Sequence, residues 1–258
     1  MQIRGKRILV TGASGGLGGA IVDELSRRGA DLVLTARRRE LLEQMAARTG
    51  AEVVVADLTD RADVERLVGG SEAIDVLVLN AGVGGDTALA EETPEHIDAV
   101  IDVNLRAPIQ MAVAFAQRHL EAGTPAQIVL VGSLSGLAAT PVTRMYNATK
   151  FGLRGFAHSL RQDLDGTGIG VSLVSPGFIR DAGMFAEGGV DLPPGVRTKS
   201  PQDVADGVVK AIESNPAEVF VSPIELRLAA TFATVTPGLS AVIQKRVGAA
   251  EMKSGARS

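Results

Sequence analysis

Cysteine and tryptophan are absent from this chain of 258 residues, which has one tyrosine and three histidines. Without cysteine there is no disulfide, no thiolate zinc site and no cysteine nucleophile. The histidines, His96, His119 and His158, are far apart, so each is interpreted as a helix-surface residue and no metal site is expected. Aromatic residues make up 3% of the chain, which leaves few side chains on which nucleic-acid bases would stack. Nucleic acid is therefore not an expected partner.

Long runs of one charge sign are also missing, and the formal net charge is −4. The first residues lack the basic segment and apolar run of a secretory signal, so a cytoplasmic location is expected. The segment Leu226–Ile243 is apolar, but Arg227, Pro237 and Gly238 interrupt it, so no membrane span is expected there. This segment is interpreted as a docking helix, an oligomer contact or part of a substrate wall.

Short apolar runs rich in Val, Ile and Leu alternate with stretches of helical period. This alternation predicts parallel βαβ units, and strands that are apolar on both faces indicate helices on both sides of the sheet. The expected fold is α/β, a doubly wound parallel sheet of about seven strands. The predicted strands are Arg7–Thr11, Asp31–Thr35, Glu52–Ala56, Val76–Asn80, Gln127–Gly132, Gly170–Ser175 and Glu218–Val221. The predicted helices include Gly16–Arg28, Glu40–Arg48, Ala62–Gly69, Pro94–Glu121, Arg144–Asp165 and Pro201–Ser214.

No low-complexity linker divides the chain, so residues 1–258 are expected to form a single dinucleotide-binding and catalytic domain. The loosest region is Ala182–Ser200, which has four glycines and two adjacent prolines. It follows a strand end, where open α/β sheets bind ligands, and it is predicted to be a substrate lid. Residues 226–258 are interpreted as a C-terminal extension.

A glycine-rich turn, Thr11–Gly18, joins the first predicted strand to the first helix. Glycines let the backbone turn sharply, and the N–H groups that open a helix favour an anionic phosphate. A turn without any ligand is the plainer alternative. The same residues also match Gly-x-Ser-x-Gly, the nucleophile elbow of hydrolases, with Ser14 as the serine. That elbow normally lies deeper in the chain and needs a histidine, so a serine hydrolase remains a minor alternative.

Three arginines, Arg37, Arg38 and Arg39, follow the second predicted strand, where many dinucleotide-binding sheets have an acid for the ribose hydroxyl. Arginine pairs well with a phosphate, so NADP(H) is favoured over NAD(H). The alternative is a solvated basic helix start, which suits Arg39 better than the other two.

The only tyrosine, Tyr146, precedes Lys150 by four residues, a spacing that places both on one face of a helix. A phenol has a reference pKa of about 10, and moving it to near 7 takes roughly 4 kcal/mol. A nearby ammonium supplies stabilisation of that kind by favouring the phenolate. The pair is therefore a candidate proton donor to a carbonyl oxygen, although the pattern alone also arises by chance.

Taken in order along the chain, these motifs resemble the short-chain dehydrogenase/reductase family in its compact form of about 250 residues. Thr11–Gly18 is similar to the family's glycine motif, and Asn80-Ala81-Gly82 to the turn after its fourth strand. Ser133 lies thirteen residues before Tyr146, the family's spacing for its catalytic serine. Pro176-Gly177 resembles the motif near the nicotinamide. The resemblance implies a Rossmann-like fold and a homodimer or homotetramer.

The resemblance also implies the site residues. Tyr146 is expected to donate a proton to a ketone while the cofactor transfers a hydride, with Lys150, Ser133 and Asn104 assisting. The residues expected to hold the dinucleotide are Gly12, Ser14, Gly16, Leu17, Gly18, Arg37, Arg38, Asp57, Leu58, Asn80, Ala81, Gly82, Tyr146, Lys150, Pro176, Gly177 and Ile179. The expected substrate is a carbonyl or alcohol compound with some apolar character. A dinucleotide-binding regulatory module without catalysis is the alternative on the same fold.

Two positions add detail to this interpretation. Pro108 has no N–H, so the carbonyl of Asn104 lacks its normal helical donor, which leaves it available to a relay water or marks a simple kink. Asp181 stands where many relatives have a threonine that bonds the nicotinamide carboxamide. The nicotinamide contact on that side is left open for this reason.

Overall fold

Within the described residues, seven parallel strands form one sheet in the order β3-β2-β1-β4-β5-β6-β7. The computed structural model describes residues 1–70, 74–84, 88–141, 143–182 and 197–246, with side chains up to Val242. This sheet confirms the predicted fold class, and no strand end departs from its predicted position by more than one residue. The strands are β1 Arg7–Thr11, β2 Asp31–Ala36, β3 Glu52–Val55, β4 Val76–Leu79, β5 Ala126–Val131, β6 Ile169–Pro176 and β7 Glu218–Val221.

Helices connect the strands as expected for right-handed parallel units. They are α1 Gly16–Arg27, α2 Arg39–Thr49, α3 Arg61–Gly69, α4 Pro94–Ile101, α5 Ala107–Ala122, α6 Arg144–Asp163, α7 Pro201–Ser214, α8 Ile224–Val235 and α9 Pro237–Arg246. The predicted lid falls mostly on residues 183–196, which lie outside the described residues.

The sheet is buried on both faces because successive strand residues alternate between two apolar clusters. Ile8 and Val10 of β1 pack with α1, α2 and α7 on one face. Leu9 of the same strand packs with α3, α5 and α6 on the other. Each fully buried Leu or Ile side chain contributes about 2 kcal/mol, so these two layers fix the sheet that carries the site.

The helix predicted over Pro94–Glu121 is not regular throughout. Between α4 and α5, Asp102–Arg106 forms a π-helical segment in which the N–H of Ala107 donates to the carbonyl of Asp102, five residues earlier. Pro108, in the first turn of α5, lacks the N–H that would continue a regular helix from the Asn104 carbonyl. The irregularity expected from Pro108 is therefore present. It takes the form of the π segment, which inserts one extra residue into the helix.

Pro94–Ala122 is also the one helix in the described part of the chain whose length and composition would suffice to cross a membrane. Half of its most apolar window is buried inside the protein. Within this window, Met111, Ala112 and Phe115 pack against the sheet. A helix buried in a protein core meets the same criteria of length and composition.

The strand order reverses between β1 and β4, which are hydrogen-bonded neighbours with Val10 opposite Val78. In open α/β sheets, ligands bind in the crevice beyond the carboxyl ends of the strands at such a reversal. The turns that follow β1 and β4 are therefore the starting points for the site.

Candidate active site

The turns after β1 and β4 are joined by the side chain of Thr11, the last residue of β1. Its hydroxyl oxygen accepts hydrogen bonds from the N–H groups of Asn80 and Ala81, each at 3.0 Å. In return, Nδ2 of Asn80 donates to the carbonyl of Thr11 at 3.1 Å. The predicted Asn80-Ala81-Gly82 turn thus lies against the glycine turn, and Thr11 is a site residue that the sequence analysis named only as part of the motif.

Two glycines of the first turn have no room for a side chain. Gly12 has a φ of +66°, and a Cβ on it would lie 2.7 Å from Cα of Ala81. A Cβ on Gly18 would lie 2.1 Å from the carbonyl oxygen of Gly12. The turn therefore requires glycine and leads directly into the N-terminus of α1, and the first N–H groups of a helix fit the phosphates of a dinucleotide.

Of the three arginines after β2, Arg38 lies beside the glycine turn. Its Nη2 donates to the carbonyl of Ser14 at 2.7 Å and to the Ser14 hydroxyl at 3.3 Å. Arg37 is exposed at the same strand end. Arg39 opens α2 and pairs with Glu43 at 3.5 Å, as expected for a residue on the helix surface. Arg38 thus contacts the glycine turn, and Arg37 is exposed at the end of the neighbouring strand.

Asp57 lies in the loop after β3. Its Oδ1 accepts hydrogen bonds from the N–H of Thr59 at 3.0 Å and from the Thr59 hydroxyl at 2.9 Å. The helix that follows is capped by Asp60, whose carboxylate accepts from the N–H of Ala62, so Asp57 shapes the turn and is not the cap. Arg106 of the π segment ties this loop to the next helix, since its Nη2 donates to the carbonyl of Thr59 at 3.0 Å.

Asn104 lies in the π segment and is completely buried. Its Oδ1 accepts from the N–H of Val83 at 2.8 Å, and its Nδ2 donates to the carbonyl of Val83 at 2.9 Å. A third bond runs from Nδ2 to the hydroxyl of Thr149 at 3.3 Å. The side chain therefore holds the loop after β4 against α6, and Pro108 supplies no helical donor to the Asn104 carbonyl.

Lys150 is buried beside the only tyrosine. Its Nζ lies 5.6 Å from the centroid of the Tyr146 ring and donates to the carbonyl of Val131, at the end of β5, at 3.0 Å. Burial lowers the pKa of Lys150 from 10.5 to about 8 because the charged form loses water contact. With that pKa about nine-tenths of the lysine is still charged at neutral pH. A cation so close to a phenol favours the phenolate.

Position 82 shows how these groups converge. A Cβ added at Gly82 would lie 3.3 Å from Oδ1 of Asn104 and 3.8 Å from Nζ of Lys150. The structure thus brings Gly82 in the turn after β4, Asn104 in the π segment and Lys150 in α6 to one point.

Ser133 begins a short 3-10 turn, Leu134–Gly136, immediately after β5. Its hydroxyl oxygen accepts from the N–H of Ser135 at 3.1 Å. The turn packs on α6 so closely that a Cβ at Gly136 would lie 2.7 Å from the carbonyl oxygen of Lys150.

Asn147 fastens the loop containing Ser133 to α6. Its Nδ2 donates to the carbonyls of Ser135 at 2.9 Å and Ala138 at 3.1 Å, and its Oδ1 accepts from the N–H of Thr140 at 3.3 Å. Sequence reasoning did not assign a role to Asn147. The only indication of such a role in the sequence is that Asn147 is a short polar residue next to Tyr146, at a position on the buried face of α6.

Pro176 ends β6, and Gly177 follows it in a tight position. The N–H of Gly177 donates to the carbonyl of Val221 at 3.0 Å, and a Cβ on it would lie 3.0 Å from Cβ of Ser222. Ile179 is buried and forms an isolated parallel bridge with Lys199. Pro176, Gly177 and Ile179, which are expected to contact the dinucleotide, therefore lie in a hydrogen-bonded segment at the end of β6.

Asp181 has a left-handed backbone with a φ of +67° and is exposed. Its carboxylate lies 3.3 Å from Nε of Arg180. From the sequence, Leu134–Val142 is expected to border the substrate together with the predicted lid, whose apolar residues are Met184, Phe185, Val190 and Leu192. Residue 142 and these four lid residues lie outside the described residues.

The hydrolase alternative needs a histidine beside Ser14, but all three histidines have other partners. His96 pairs with Glu92, and Nε2 of His158 lies 3.3 Å from Glu218. His119 is buried and its Nε2 contacts the carbonyl of Ile74 at 3.0 Å, so its interpretation as a surface residue is wrong. That position packs against Ile74, in the segment just before β4, and the sequence pattern alone does not reveal it. Among the described residues, no group of three or more His, Asp or Glu side chains is placed to hold a metal ion.

A doubly wound parallel sheet with a glycine turn after its first strand and a reversal of strand order beside it is typical of dinucleotide-binding proteins, and this chain has that fold. A family model described as short chain dehydrogenase matches residues 6–190. The chain belongs to the short-chain dehydrogenase/reductase family and is an NAD(P)-dependent dehydrogenase or reductase. The family binds a nicotinamide dinucleotide.

Relatives with different substrates align along most of the chain. It is 36% identical over 237 residues to the 1-deoxy-11-beta-hydroxypentalenate dehydrogenase of Streptomyces avermitilis, covering 86% of each chain. It is 31% identical over 229 residues to the ketoacyl reductase HetN of a Nostoc species, covering 85% of this chain and 79% of that protein. A short-chain dehydrogenase from Sphingobium yanoikuyae, solved in complex with NADPH, superposes with a TM-score of 0.77 at 29% identity and covers 98% of both chains.

Proposed function

We propose that this protein transfers a hydride between NADP(H) and a ketone or secondary alcohol, with Tyr146 as the general acid and base. The observation that carries the proposal is the buried ammonium of Lys150, 5.6 Å from the only tyrosine ring and fixed by its bond to Val131. A lysine held in this way, and still charged at neutral pH, lowers the pKa of a neighbouring phenol. The phenol then becomes an effective proton donor near pH 7.

The other polar groups have distinct roles in this proposal. Ser133 accepts a bond from the backbone of Ser135 on its oxygen, so its O–H remains to donate to the substrate oxygen and to stabilise charge that develops there. Lys150 also holds the nicotinamide ribose. The Asn104 side chain is committed to Val83 and Thr149, so its backbone carbonyl is the group that positions a relay water. Protons given up by Tyr146 are replaced along this route.

The cofactor supplies or accepts the hydride, and the chain supplies its binding and orientation. Gly12, Gly16 and Gly18 with Ser14 and Leu17 receive the pyrophosphate, and Asp57 with Leu58 receives the adenine. The turn Asn80–Gly82 and the end of β6 with Pro176, Gly177 and Ile179 border the nicotinamide half. Arg37 and Arg38 bind a 2′-phosphate, which is the reason to favour NADP(H) over NAD(H). Support comes from the bond of Arg38 to the phosphate-binding turn.

An apolar, mid-sized carbonyl compound is the proposed substrate class. Leu137, just past the 3-10 turn, is buried next to the Ser133 loop, and the relatives named above act on a ketoacyl group or on a pentalenate. We further propose that residues 1–258 work as a single domain, that the protein is cytoplasmic, and that α4 to α6 pair copies into a homodimer or homotetramer.

Replacing the tyrosine tests the mechanism. Tyr146→Phe keeps the ring but removes the acid, so we expect NADPH to bind within a few-fold of normal while turnover falls by about 10²–10⁴-fold. NADPH binding is measured by its fluorescence, and turnover by its absorbance with a panel of ketones. Phe156→Tyr, which adds a phenol elsewhere on α6, is the matched control and should leave turnover unchanged. Turnover of Tyr146→Phe within a few-fold of normal would show that Tyr146 is not the acid.

A further inference from the structure

Arg106, the last residue of the π segment, has a charged side chain that is only 15% exposed. Its Nε donates to Oδ1 of Asp102 at 2.5 Å, one turn earlier in the same helix. Its Nη2 donates to the carbonyl of Thr59 at 3.0 Å. One guanidinium group thus joins the helix to the loop after β3, which is 47 residues away in sequence.

The third nitrogen of this guanidinium shows that stability is not the main contribution of Arg106. Among the described residues, Nη1 is buried and meets no hydrogen-bond acceptor. A buried donor without an acceptor has lost its bonds to water and gained none in return, so it lowers the free energy of unfolding. Burial of the charge itself lowers it further. The importance of Arg106 therefore lies in what its two bonds hold in place.

The loop that Arg106 holds includes Asp57. The same Thr59 whose carbonyl accepts from Arg106 donates its N–H and its hydroxyl to Oδ1 of Asp57, at 3.0 and 2.9 Å. The N–H of Asp57 donates to Oδ2 of Asp63 in α3 at 2.8 Å. These bonds lie within the loop and its own helix. The bond from Arg106 comes from a separate element, so it determines where the loop stands relative to the π segment.

The π segment contacts the crevice from two sides. Asn104 and Arg106 are two residues apart, so at about 100° per residue their side chains leave nearly opposite faces of the helix. Asn104 bonds Val83, in the loop after β4, and Thr149 of α6. Arg106 bonds the loop after β3, the edge strand on the other side of β1. The two residues therefore hold different walls of the crevice.

We propose that Arg106 is a positioning residue for the adenosine half of the cofactor. It keeps Asp57–Thr59 in the conformation that receives the adenine, so the loop does not have to be ordered when the dinucleotide binds. The inference rests on the placement of the adenine at Asp57 and Leu58 proposed above. It does not depend on the role of Tyr146 or on a preference for NADP(H), because NADPH and NADH share the same adenosine.

Replacing Arg106 by methionine keeps an unbranched side chain but removes the donors. We expect Arg106→Met to weaken NADPH, NADH and ADP by a common factor of about tenfold, because each ligand must then order the loop. Cofactor fluorescence measures the binding of NADPH and NADH, and displacement of NADPH measures that of ADP. No turnover is needed for any of these measurements.

Arg118→Met is the matched control. Arg118 lies on α5 and also donates to a backbone carbonyl, that of Val68 in α3, at 2.8 Å. Its replacement should leave all three affinities unchanged. The titration midpoint of Tyr146, followed by phenolate absorbance, should be the same in Arg106→Met and in the unmodified chain, because the bonds of Asn104 are untouched. General damage to the fold would move this midpoint as well.

Circular dichroism checks that each variant is folded. Asp102→Asn, which weakens the bond to Nε of Arg106, should give a smaller loss of affinity for the same three ligands, and it replaces Arg106→Met if that variant does not fold. Unchanged affinity for ADP would overturn the proposal, as would a loss accompanied by a shifted Tyr146 midpoint. A loss much greater for NADPH than for NADH would assign Arg106 to the extra phosphate and overturn it too.

Asp57→Ala separates failure of this proposal from failure of the adenine placement. If Asp57→Ala weakens ADP and Arg106→Met does not, the adenine lies where it is proposed and only the role of Arg106 is wrong. If neither change weakens ADP, the placement of the adenine is wrong, and the role of Arg106 is wrong with it.

Discussion

Asn147, the residue after Tyr146, donates its Nδ2 to the carbonyl oxygen of Ser135 at 2.9 Å. The bond joins the helix that carries the proposed acid to the turn that carries Ser133. Catalytic groups must keep their relative positions closely, because a displacement of about 1 Å can cost 10²-fold in rate. Asn147 is thus a positioning residue for the proposed reaction.

Asn147→Ala should lower kcat by about 10–100-fold while the Kd for NADPH changes little, because the loop loses its anchor but the glycine turn does not. Steady-state kinetics and NADPH fluorescence measure the two quantities. Gln162→Ala is the control, since Gln162 is exposed near the end of the same helix and bonds only locally. Equal losses of NADPH affinity and kcat would indicate general damage to the fold instead.

The phenol of Tyr146 is accessible to direct titration because the chain has one tyrosine and no tryptophan. Ultraviolet absorbance of the phenolate should give a midpoint below the usual value of about 10. Lys150→Met should raise that midpoint by about one to three units. Lys210→Met removes an exposed lysine of α7 and should not move it. The tyrosine and lysine interact, so the observed midpoints belong to the pair. Identical curves for the protein and Lys150→Met would remove the proposed coupling.

Burial of Lys150 should also make stability depend on pH. Its pKa is about 8 in the folded protein and 10.5 in the unfolded chain, so the unfolded chain binds more protons between these values. The free energy of unfolding should therefore rise with pH across this window, by up to about 3 kcal/mol from this group. Below a pH of about 8, Lys150 is charged in the folded protein, so the full cost of burying that charge lowers the free energy of unfolding.

Urea unfolding of the protein and of Lys150→Met, at about pH 7 and about pH 10, measures this dependence. Alkaline groups that do not interact with Lys150 cancel in the difference between the two proteins, so the gain should be confined to the chain that has the lysine and includes any part that comes from the coupled Tyr146. If the free energy of unfolding changed by the same amount in both proteins between the two pH values, the prediction would be contradicted.

Two glycines in the same region should respond in opposite ways to alanine. Gly12→Ala forces a left-handed residue and a contact of 2.7 Å onto Ala81, so it should cost about 3 kcal/mol and abolish NADPH binding. Gly19, in α1, has no neighbouring atom within 4 Å of the position that a Cβ would take, so Gly19→Ala should stabilise the protein by up to about 1 kcal/mol. Thermal unfolding with and without NADPH measures both. A neutral Gly12→Ala would contradict the described turn.

Replacing the arginines that follow β2 tests whether the protein prefers NADPH to NADH. Arg37→Ala and Arg38→Ala should each weaken NADPH by about 10–100-fold and NADH much less, because only NADPH carries the extra phosphate. Arg39→Ala is the control, since Arg39 pairs with Glu43 on α2. Fluorescence titrations with both cofactors give the affinities. Equal losses for NADPH and NADH would remove the argument for a phosphate site.

Much of this fold was predictable because its strands are uniformly apolar and its turns have distinct residues. β1 and β7 begin and end at the predicted residues, and α7 does as well. The helix predicted over Pro94–Glu121 is one continuous run, but its periodicity does not reveal the π segment. One inserted residue changes the period too little to be noticed, and only Pro108 signalled it.

A close approach was predictable where one motif spaces two residues on a helix, as with Tyr146 and Lys150, whose catalytic roles stay a prediction. It was not predictable where residues distant in the sequence meet. The bond from Arg106 to Thr59 and the burial of His119 against Ile74 each depend on how separate elements pack. Asn147 is an intermediate case, since its neighbours in sequence suggest a helix but its partners lie on a loop that folds back onto it.

The hydroxyl of Thr11 bonds the turns on either side of the strand reversal, so it determines how far apart the two walls of the crevice stand. These bonds join groups of the chain itself, so no ligand is needed to make them. Little ordering of the backbone is then required on binding, and most of the contact energy is retained as affinity. Thr11→Val, which keeps the shape of the side chain and loses the acceptor, would allow the walls to part and would show its effect first in the rate at which NADPH leaves.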